Sequence, residues 1–504
     1  MKPKYCGILI AFCILLLTAC VKDEGNYSYG KQTDYFIDST SVSTSFTLKQ
    51  NEQLMVEPSL ANGISENGLS YEWFLKQESF AVDPSTGGYY DVKIGTERQL
   101  NYKITEKPGS YILVLYTKDN NNGGITQLLK RQLTVSSFAS PGWMVLHGDG
   151  TSSDISIVVN NRFTPAVPSS TDYVQENVFS LTNGKRIEGE GAGLFYLEDR
   201  WVEVFTKGDQ GGYRVSNNDL RTMNPYSGMF VMPPAAPDIR YDAYASWSYN
   251  EMLVNKGDLY FASQPDVYKF YPYGVKCFGE DYTAAPFLAS SNLYFTYYGV
   301  FYDTKNKRFL YIDYERKVKQ FAAPGPNAAF DMRNIGKEMV YAEHGFDNRW
   351  FCLMQDAGAP SSRELFVSKF NNWDDGNRAL ERIDIGAAQG MAASTFFAFG
   401  NRGNIFFHAD ATHIYQNNYA GDKSSVLRLD VGGSFPGYQV TCMNVFKWRN
   451  HPNDGRLLMV ALYDAAEKKG KLLQIDINEV SGVFGSIKEY DGFGKITAMN
   501  YKLK

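Results

Sequence analysis

The polar residues with the most suggestive spacing are His408, Asp410 and His413, which lie within one short segment. Imidazole and carboxylate groups bind divalent metals when a fold brings them together. The segment does not match the helical His-Glu-x-x-His motif, and it spans the turn between two predicted strands, where polar residues are frequent. We therefore predict a polar turn here and no metal site.

Motifs of nucleophilic and acid–base catalysis are absent from the sequence. No Gly-x-Ser-x-Gly segment indicates a nucleophile elbow, and no sialidase-type Ser-x-Asp-x-Gly-x-x-Trp box occurs. The chain contains 55 Asp and Glu residues, but no motif selects the two spaced carboxylates that a glycosidase needs. We predict that the chain is not an enzyme and has no cofactor, and we keep a hydrolase as an alternative.

Cys20 is the residue for which the sequence indicates covalent chemistry. Two lysines precede an apolar run at positions 6–19, which is shorter than the roughly 20 residues that a membrane-spanning helix needs. Residues 1–19 are therefore predicted to be a signal peptide. The segment 17–20, Leu-Thr-Ala-Cys, resembles the bacterial lipobox. That resemblance implies lipidation of the Cys20 thiol and cleavage before it, so that acyl chains anchor the mature protein.

Charged residues follow the cysteine directly, at Lys22, Asp23 and Glu24. A lysine and two acids beside the lipid resemble the signal that exports Bacteroidota lipoproteins to the outer face of the outer membrane. The alternative is a solvated charged tether, because short charge runs usually mark exposed segments. We expect residues 20–30 to be a lipidated tether with the surface-export motif.

The composition excludes some functions and constrains the cysteines. The formal net charge is −5, so no excess of basic residues is available to bind nucleic acid. No later apolar run approaches the length of a membrane span, so we expect a soluble body held by its lipid. Cys277, Cys352 and Cys442 remain in the predicted mature chain, and their wide spacing favours buried free thiols, with one disulfide still allowed.

Residues 31–137 are predicted to form a small β-sandwich. Strand patterns occur at 53–58, 69–75 and 109–119, separated by turn residues. Alternation places Tyr71, Trp73 and Leu75 on one face of a strand, which makes Trp73 a core residue. The Asn- and Gly-rich segment after Asp119 lacks the alternating carboxylates of a calcium loop and is predicted to be a hairpin turn.

The strand containing Tyr-Glu-Trp-Phe at 71–74 and the later strand at 109–119 resemble those of the polycystic-kidney-disease-like (PKD-like) immunoglobulin-type domain. Together with the lipobox and the opening Gly-Asn-Tyr-Ser-Tyr at 25–29, they are similar to the PKD-like family of Bacteroidota lipoproteins, over residues 17–137. The resemblance implies a spacer or adhesion module. It further implies partners: a starch-utilisation-type importer, formed by a TonB-dependent channel and its lipoprotein lid, with oligopeptide or glycan as cargo.

The region 141–504 is predicted to be a β-propeller. Short aromatic strands recur at about 40 to 55 residues, and a four-stranded unit of that length must stack on neighbours to bury both faces. The region has room for about seven such units, although six or eight are also compatible. The recurring strands begin at Phe309, Trp350, Asn404 and Arg456. Further blades are predicted at 143–159, 193–215 and 253–270.

An internal repeat predicts how the ring closes. The segment Val-Thr-Cys-Met-Asn-Val at 440–445 is repeated as Ile-Thr-Ala-Met-Asn-Tyr at 496–501. The second copy is the last strand of the chain, whereas the unit at Trp143 begins with what resembles a second strand. The C-terminal strand is therefore predicted to supply the inner strand of the first blade, which would leave no exposed sheet edge.

Aromatic residues beside Asn, Asp and Arg occur in two connecting segments and are candidates for ligand recognition. Such rings can stack on sugars or peptide side chains while the polar groups form hydrogen bonds. The alternative is that the rings fill gaps between blades. The candidate residues are Tyr226, Tyr241, Tyr244, Trp247, Trp373, Asp374 and Arg378.

Taken together, these features predict an all-β protein with an immunoglobulin-like sandwich followed by a propeller. We expect a lipid-anchored protein on the exterior face of the outer membrane that captures a ligand or docks on the importer. Two other functions stay open, a surface glycosidase or peptidase that uses the propeller channel, and an adhesive or structural surface protein.

Overall fold

The computed structural model describes residues 36–77, 91–106, 108–165, 167–197, 200–235, 237–245, 250–263, 271–289, 297–370 and 378–503, and the side chains of 240–245 are not described. The chain divides into two compact units, residues 1–136 and 137–504. Strands dominate both units, which confirms the all-β prediction. The described helices are short: α1 is Val178–Asn183 and α2 is Val431–Ser434. None of the described helices is long and apolar enough to cross a membrane.

The first unit is a β-sandwich of a five-stranded and a two-stranded sheet. The larger sheet has the order β1-β7-β6-β3-β4, with β1 parallel to β7, and β2 pairs with β5 in the smaller one. The strands are β1 (Ser45–Lys49), β2 (Gln53–Val56), β3 (Leu69–Gln77), β4 (Asp91–Gly95), β5 (Leu100–Lys103), β6 (Gly109–Asp119) and β7 (Ile125–Ser136).

Alternation along β3 and β6 builds the core of the sandwich. Trp73 and Leu75 are buried, as is Leu113 on the paired strand β6. The Trp73 indole donates its N–H to the carbonyl of Glu97 at 2.9 Å, so the buried polar atom is satisfied. Trp73 is a core residue, as its position in the alternating pattern predicts. Asp119 accepts the N–H of Asn121 at 2.9 Å in the β6–β7 turn.

The second unit is a seven-bladed β-propeller. Its described residues form seven sheets, and in each sheet the strands pair antiparallel in chain order, except where the C-terminal strand joins the first sheet. The blades are β35-β8-β9-β10, β12 to β15, β16 to β18, β19 to β22, β23 to β26, β27 to β30 and β31 to β34. The short strand β11 also pairs with β9.

The strands of the first three blades are β8 (Gly142–Gly148), β9 (Ser152–Asn160), β10 (Asp172–Gln175), β11 (Ile187–Glu188), β12 (Gly191–Leu197), β13 (Trp201–Thr206), β14 (Gly212–Ser216), β15 (Thr222–Pro225), β16 (Ile239–Ala245), β17 (Asn250–Asn255) and β18 (Asp258–Ser263). Those of the next two are β19 (Ala284–Ala289), β20 (Gly299–Asp303), β21 (Arg308–Ile312), β22 (Val318–Gln320), β23 (Glu338–His344), β24 (Trp350–Asp356), β25 (Ala359–Ser368) and β26 (Ala379–Asp384). Those of the last two, with the closing strand, are β27 (Phe396–Phe399), β28 (Ile405–Ala409), β29 (His413–Asn418), β30 (Ser425–Asp430), β31 (Tyr438–Val445), β32 (Leu457–Asp464), β33 (Lys469–Ile477), β34 (Phe484–Phe493) and β35 (Lys495–Lys502).

The second strand of each blade is buried on both faces. All residues of β8, β13, β17, β20 and β28 are buried, because each sheet packs between two neighbouring sheets. This explains the continuous apolar runs in the sequence. It also shows that the recurring strands are not all equivalent: those at Trp350 and Leu457 are second strands, whereas Phe309 lies in the third strand β21.

The strand that the internal repeat predicts to close the ring, β35, pairs antiparallel with β8, and Tyr501 lies opposite Trp143. The inner strand of every blade contacts the inner strands of both neighbours, including β31 with β35 and β35 with β12. Lys502, fully buried, donates to the carbonyl of Ala139 at 2.9 Å. The two ends of the propeller are therefore joined in one sheet.

Candidate functional site

The inner strands surround an axial cavity of about 690 Å³. Six of the seven described inner strands have a β-bulge or a similar register shift near their start. At each shift the inner strand contains one or more residues that have no paired residue on the second strand. In β35 the extra residue is Thr497, and in β12 it is Ala192. Both line the cavity. The bulges therefore help to shape the wall of the cavity.

Both apolar and polar side chains line this wall. The described lining residues include Trp143, Ala192, Leu194, Phe195, Phe287, Tyr341, Ala342, Glu343, His344, Trp350, Cys442, Asn444, Lys447, Thr497, Ala498, Met499 and Asn500. A concave surface with apolar walls and a few converging polar groups is typical of ligand-binding sites.

Asn444 and Asn500 occupy equivalent positions in the two copies of the internal repeat and make equivalent bonds. The Nδ2 of Asn444 donates to the carbonyl of Met499 at 3.1 Å, and the Nδ2 of Asn500 donates to the carbonyl of Leu194 at 3.2 Å. Each amide thus ties its inner strand to the next one around the ring. Among the described residues neither Oδ1 atom has a hydrogen-bond partner, so both can accept from a ligand.

Glu343 and Lys447 form an ion pair that links three blades at the end of the cavity where the inner strands finish. The Lys447 ammonium donates to Glu343 Oε1 and, at 2.7 Å, to the carbonyl of His344. Glu343 Oε2 accepts the N–H of Phe399 at 2.9 Å and the hydroxyl of Tyr341 at 3.2 Å. Blades five, six and seven are therefore connected through one carboxylate.

The electrostatics of this pair follow from its partial burial. Desolvation lowers the pKa of Lys447, and the attraction of Glu343 opposes that shift. Glu343 is the one carboxylate among the described lining residues. The described wall thus contains a fixed ion pair and no second acid beside it, whereas the two-carboxylate mechanism of glycosidases needs both.

Trp143 contributes an apolar ring to the wall. Its side chain is 3% exposed and its ring packs on Phe163. Its indole N–H has no partner among the described residues, but it lies beneath the surface, out of reach of a ligand in the cavity. The cavity therefore offers the oxygen atoms of the two asparagine amides to an uncharged polar ligand.

The predicted recognition residue Tyr226 lies elsewhere and does not form a stacking surface. It is 5% exposed and packs on Phe230 with a centroid distance of 5.0 Å. Burial raises the pKa of its hydroxyl. The alternative prediction, that such rings fill gaps in the packing, is the correct one for this residue, because its ring belongs to a cluster that also contains Phe205 and Leu253.

Arg378 is 6% exposed, and its guanidinium carbon lies 4.8 Å from the centroid of the Tyr297 ring. It lines a second pocket, away from the axial cavity. Tyr241 and Tyr244 lie in β16, but their side chains are not described. The other predicted site residues, Cys20, Lys22, Asp23, Glu24, Trp247, Trp373 and Asp374, lie outside the described residues.

The structure separates the two histidines of the suggestive segment. Both ring nitrogens of His408 are bonded, Nδ1 to Ser394 and Nε2 to Ser425, each at 2.7 Å. Burial lowers the pKa of His408 to about 3. His413 instead contacts the Asp410 carboxylate at 3.2 Å. The turn is built by its own hydrogen bonds, and the described residues contain no cluster of metal-ligating side chains.

The three cysteines of the second unit are free thiols. Cys277 and Cys352 are buried, and burial raises the pKa of Cys277 to about 12. Cys442 is half-buried and lines the axial cavity, and burial raises its pKa to about 12 as well. Burial therefore disfavours the thiolate form of Cys277 and Cys442 near neutral pH.

Sequence reasoning missed the residues of the axial cavity. The internal repeat contained a usable signal, because the Met-Asn pair is identical in both copies at 443–444 and 499–500. Glu343 and Lys447 are far apart in the chain and belong to no motif. Only the ring brings them together.

Comparison with protein families identifies the N-terminal part of the chain. Residues 20–191 match the PKD-like family. The match covers the whole sandwich and extends through β8, β9, β10 and β11 to the first residue of β12. A comparison with curated proteins finds no match.

Solved structures with similar coordinates have low identity to this chain. A quinonprotein alcohol dehydrogenase-like protein from Bacteroides thetaiotaomicron is 13% identical, with a TM-score of 0.46, over 91% of this chain and 97% of its own. The extracellular domain of a one-component system from the same species is 10% identical, with a TM-score of 0.39, over 77% of this chain and 53% of its own. The WD40 domain of SCAP from fission yeast is 8% identical, with a TM-score of 0.32, over 59% of this chain and 72% of its own.

Proposed function

We propose that this protein is a lipid-anchored cell-surface protein that captures an uncharged polar ligand in the axial cavity of its propeller. The observation that supports this proposal is the cavity of about 690 Å³ with the amides of Asn444 and Asn500 on its wall. Peptide bonds and sugar hydroxyls both present donors and acceptors, so oligopeptide and glycan both fit this chemistry.

The sequence of the N-terminus supports the cellular location in this proposal. The lipobox-like segment ends at Cys20, and the match to the PKD-like family begins at the same residue. The charged segment at 22–24 is the basis for placing the protein on the outer face of the outer membrane. An accessory role at a TonB-dependent importer rests on the family resemblance.

A binding assay tests the capture role. The mature chain 20–504 with Cys20→Ala is titrated with a tryptic digest of casein and with maltooligosaccharides, and thermal stabilisation is measured, because a ligand that binds only the folded state raises the melting temperature. We expect one of the two classes to stabilise the protein. Stabilisation by neither class would contradict the capture role.

A matched pair of variants assigns the binding to the cavity. Ala498→Phe places a ring in the cavity wall, whereas Ala466→Phe changes an exposed turn residue of the seventh blade. We expect Ala498→Phe to abolish the stabilisation and Ala466→Phe to retain it. Equal responses would place the ligand elsewhere.

A second experiment tests the partner. The lipidated full chain with a C-terminal tag is purified from solubilised outer membranes, and co-purifying proteins are identified by mass spectrometry. Recovery of a TonB-dependent channel with its lipoprotein lid is the expected result. Release of product from the bound ligand during these assays would instead favour the hydrolase alternative.

A further inference from the structure

The fourth and fifth blades form a second pocket that shares no described lining residue with the axial cavity. Its volume is about 390 Å³, at the small end of the range of about 300–1,000 Å³ for ligand pockets. Room of this size accommodates one large side chain rather than an extended oligomer.

Aromatic rings form one wall of this pocket. The rings of Tyr297 and Tyr311 have centroids 4.3 Å apart, and Phe321 lies 5.4 Å from the first ring and 5.0 Å from the second. Tyr314 at the rim is 58% exposed. Aromatic groups pack favourably against such rings in offset or edge-to-face arrangements.

Apart from Arg378, the buried lining residues of this pocket are apolar. Phe321, Phe330 and Met332 are 7%, 9% and 6% exposed. A methionine sulfur favours contact with an aromatic ring. A sugar hydroxyl buried at this depth would lose its hydrogen bonds to water without regaining them from these side chains.

The polar lining residues also favour an aromatic guest over a sugar. Asp313 accepts the N–H groups of Glu315 and Lys317, each at 2.9 Å, and pairs with Lys319 at 2.6 Å, so its carboxylate is engaged within the protein. Arg378 places its guanidinium over Tyr297. A guanidinium at the wall can add a cation–π contact to an aromatic ring that enters.

We propose that this pocket binds an aromatic side chain of a peptide segment. The combination of rings, a methionine and a guanidinium around a volume of one side chain is the typical composition of an anchor pocket for a binding hot spot. The proposal does not depend on the axial cavity. It holds whether the peptide is a cargo or a segment of a partner protein.

The test uses N-acetyl-phenylalaninamide as the probe, with N-acetyl-alaninamide and cellobiose as comparisons. Ligand-observed saturation-transfer NMR on the mature chain should detect binding of the phenylalanine probe alone. Ala328→Trp fills the pocket, whereas Ala329→Trp changes the exposed neighbour that does not line it. We expect Ala328→Trp to weaken binding by about tenfold or more and Ala329→Trp by less than about twofold, because only the first occupies the space of the guest.

Further variants keep the result interpretable. Tyr314→Ala changes an exposed residue at the rim and should not disturb folding. It should lower the affinity for the phenylalanine probe by about threefold, because one ring contact is lost. Ala498→Phe in the axial cavity should leave probe binding unchanged, which separates this pocket from the proposed capture site. Absence of a signal from the phenylalanine probe, an equal signal in Ala328→Trp and the parent, or binding of cellobiose in its place would overturn the proposal.

Discussion

Individual side chains help to hold the strands of this propeller together. His147 does so within the first blade: its Nε2 bonds Ser156 of the next strand at 2.8 Å, and its Nδ1 accepts the N–H of Gly494 at 3.2 Å. Because Nδ1 is an acceptor, the ring is neutral, with its proton on Nε2. Gly494 directly precedes β35, so this imidazole helps to hold the closing strand.

Protonation of His147 should destabilise the fold. Burial, assisted by repulsion from Arg186, lowers its pKa to about 4, whereas an unfolded histidine titrates near 6.5. The unfolded state therefore binds the proton first, and stability is fully present above about pH 6.5 and is lost as the pH falls towards 4. The loss from this group should approach roughly 3 kcal/mol.

Urea unfolding of the mature chain and of His147→Gln between pH 7.5 and 4 measures this effect. The upper pH limit lies about one unit above the pKa of an unfolded histidine, and the lower limit lies at the shifted pKa of His147. The glutamine variant should have a lower stability at pH 7.5 and a shallower pH dependence. Parallel pH profiles for the two proteins would show that His147 does not titrate in this range.

At the scale of elements, the inner strands both line the axial cavity and connect each blade to the next. Their bulges form the cavity wall, and their side chains bond the next strand in the ring. The second strands are almost entirely buried, because each sheet packs between its two neighbours.

Removal of the Asn500 amide should weaken the contact between β35 and β12. Asn500→Ala deletes the bond to the Leu194 carbonyl, and loss of one such bond costs about 1 kcal/mol. Asn334→Ala changes an exposed asparagine with no described side-chain bond and should cost less than about 0.5 kcal/mol. Chemical unfolding of both variants gives the comparison. Equal stabilities would mean that the amide does not contribute to the ring.

For the whole molecule, two properties follow from the topology: the sandwich has its own core, and the propeller depends on its last strand. The first unit buries Trp73 and Leu133 within its own sheets. In the second unit, β35 contacts β8, β12 and β31, so one strand joins the first, second and seventh blades.

Deletion of residues 494–504 should destabilise the whole propeller and spare the sandwich. Without β35 the edge of β8 is unpaired and the ring loses the buried side chains of Ile496 and Tyr501. Limited proteolysis should leave an N-terminal fragment near 12 kDa, a rough value for a single domain of about 110 residues. If the propeller of the truncated chain melts at the same temperature as that of the parent, the closing strand is not essential for its stability.

Anchoring of the whole molecule should depend on Cys20. Cys20→Ala removes the predicted acceptor of the acyl chains, and the protein should leave the outer membrane, because lipid chains supply the binding energy of such an anchor. Membrane fractionation with a high-salt wash measures this. A Cys20→Ala protein that still sediments with the outer membrane would show that another attachment exists.

The sequence by itself determined the features that depend on local patterns of residues, namely which segments form strands and which of their faces are buried. Alternation placed Trp73 in a strand core, apolar runs predicted the buried strands of the propeller, and the repeat of 440–445 at 496–501 indicated two equivalent inner strands. These features depend on period and composition, which a single segment contains. The predicted blade at 253–270 falls on β17 and β18, although residues 264–270 lie outside the described part of the chain.

The tertiary structure alone decided which side chains meet. Glu343 and Lys447 come from the fifth and seventh blades, and Asn500 reaches Leu194 at the opposite end of the propeller sequence. Polar residues flank the aromatic segment around Tyr226, so its sequence resembles a recognition loop. The ring of Tyr226 is nevertheless buried. Ring closure sets these contacts through packing between distant segments, and no local pattern encodes the distance between two blades.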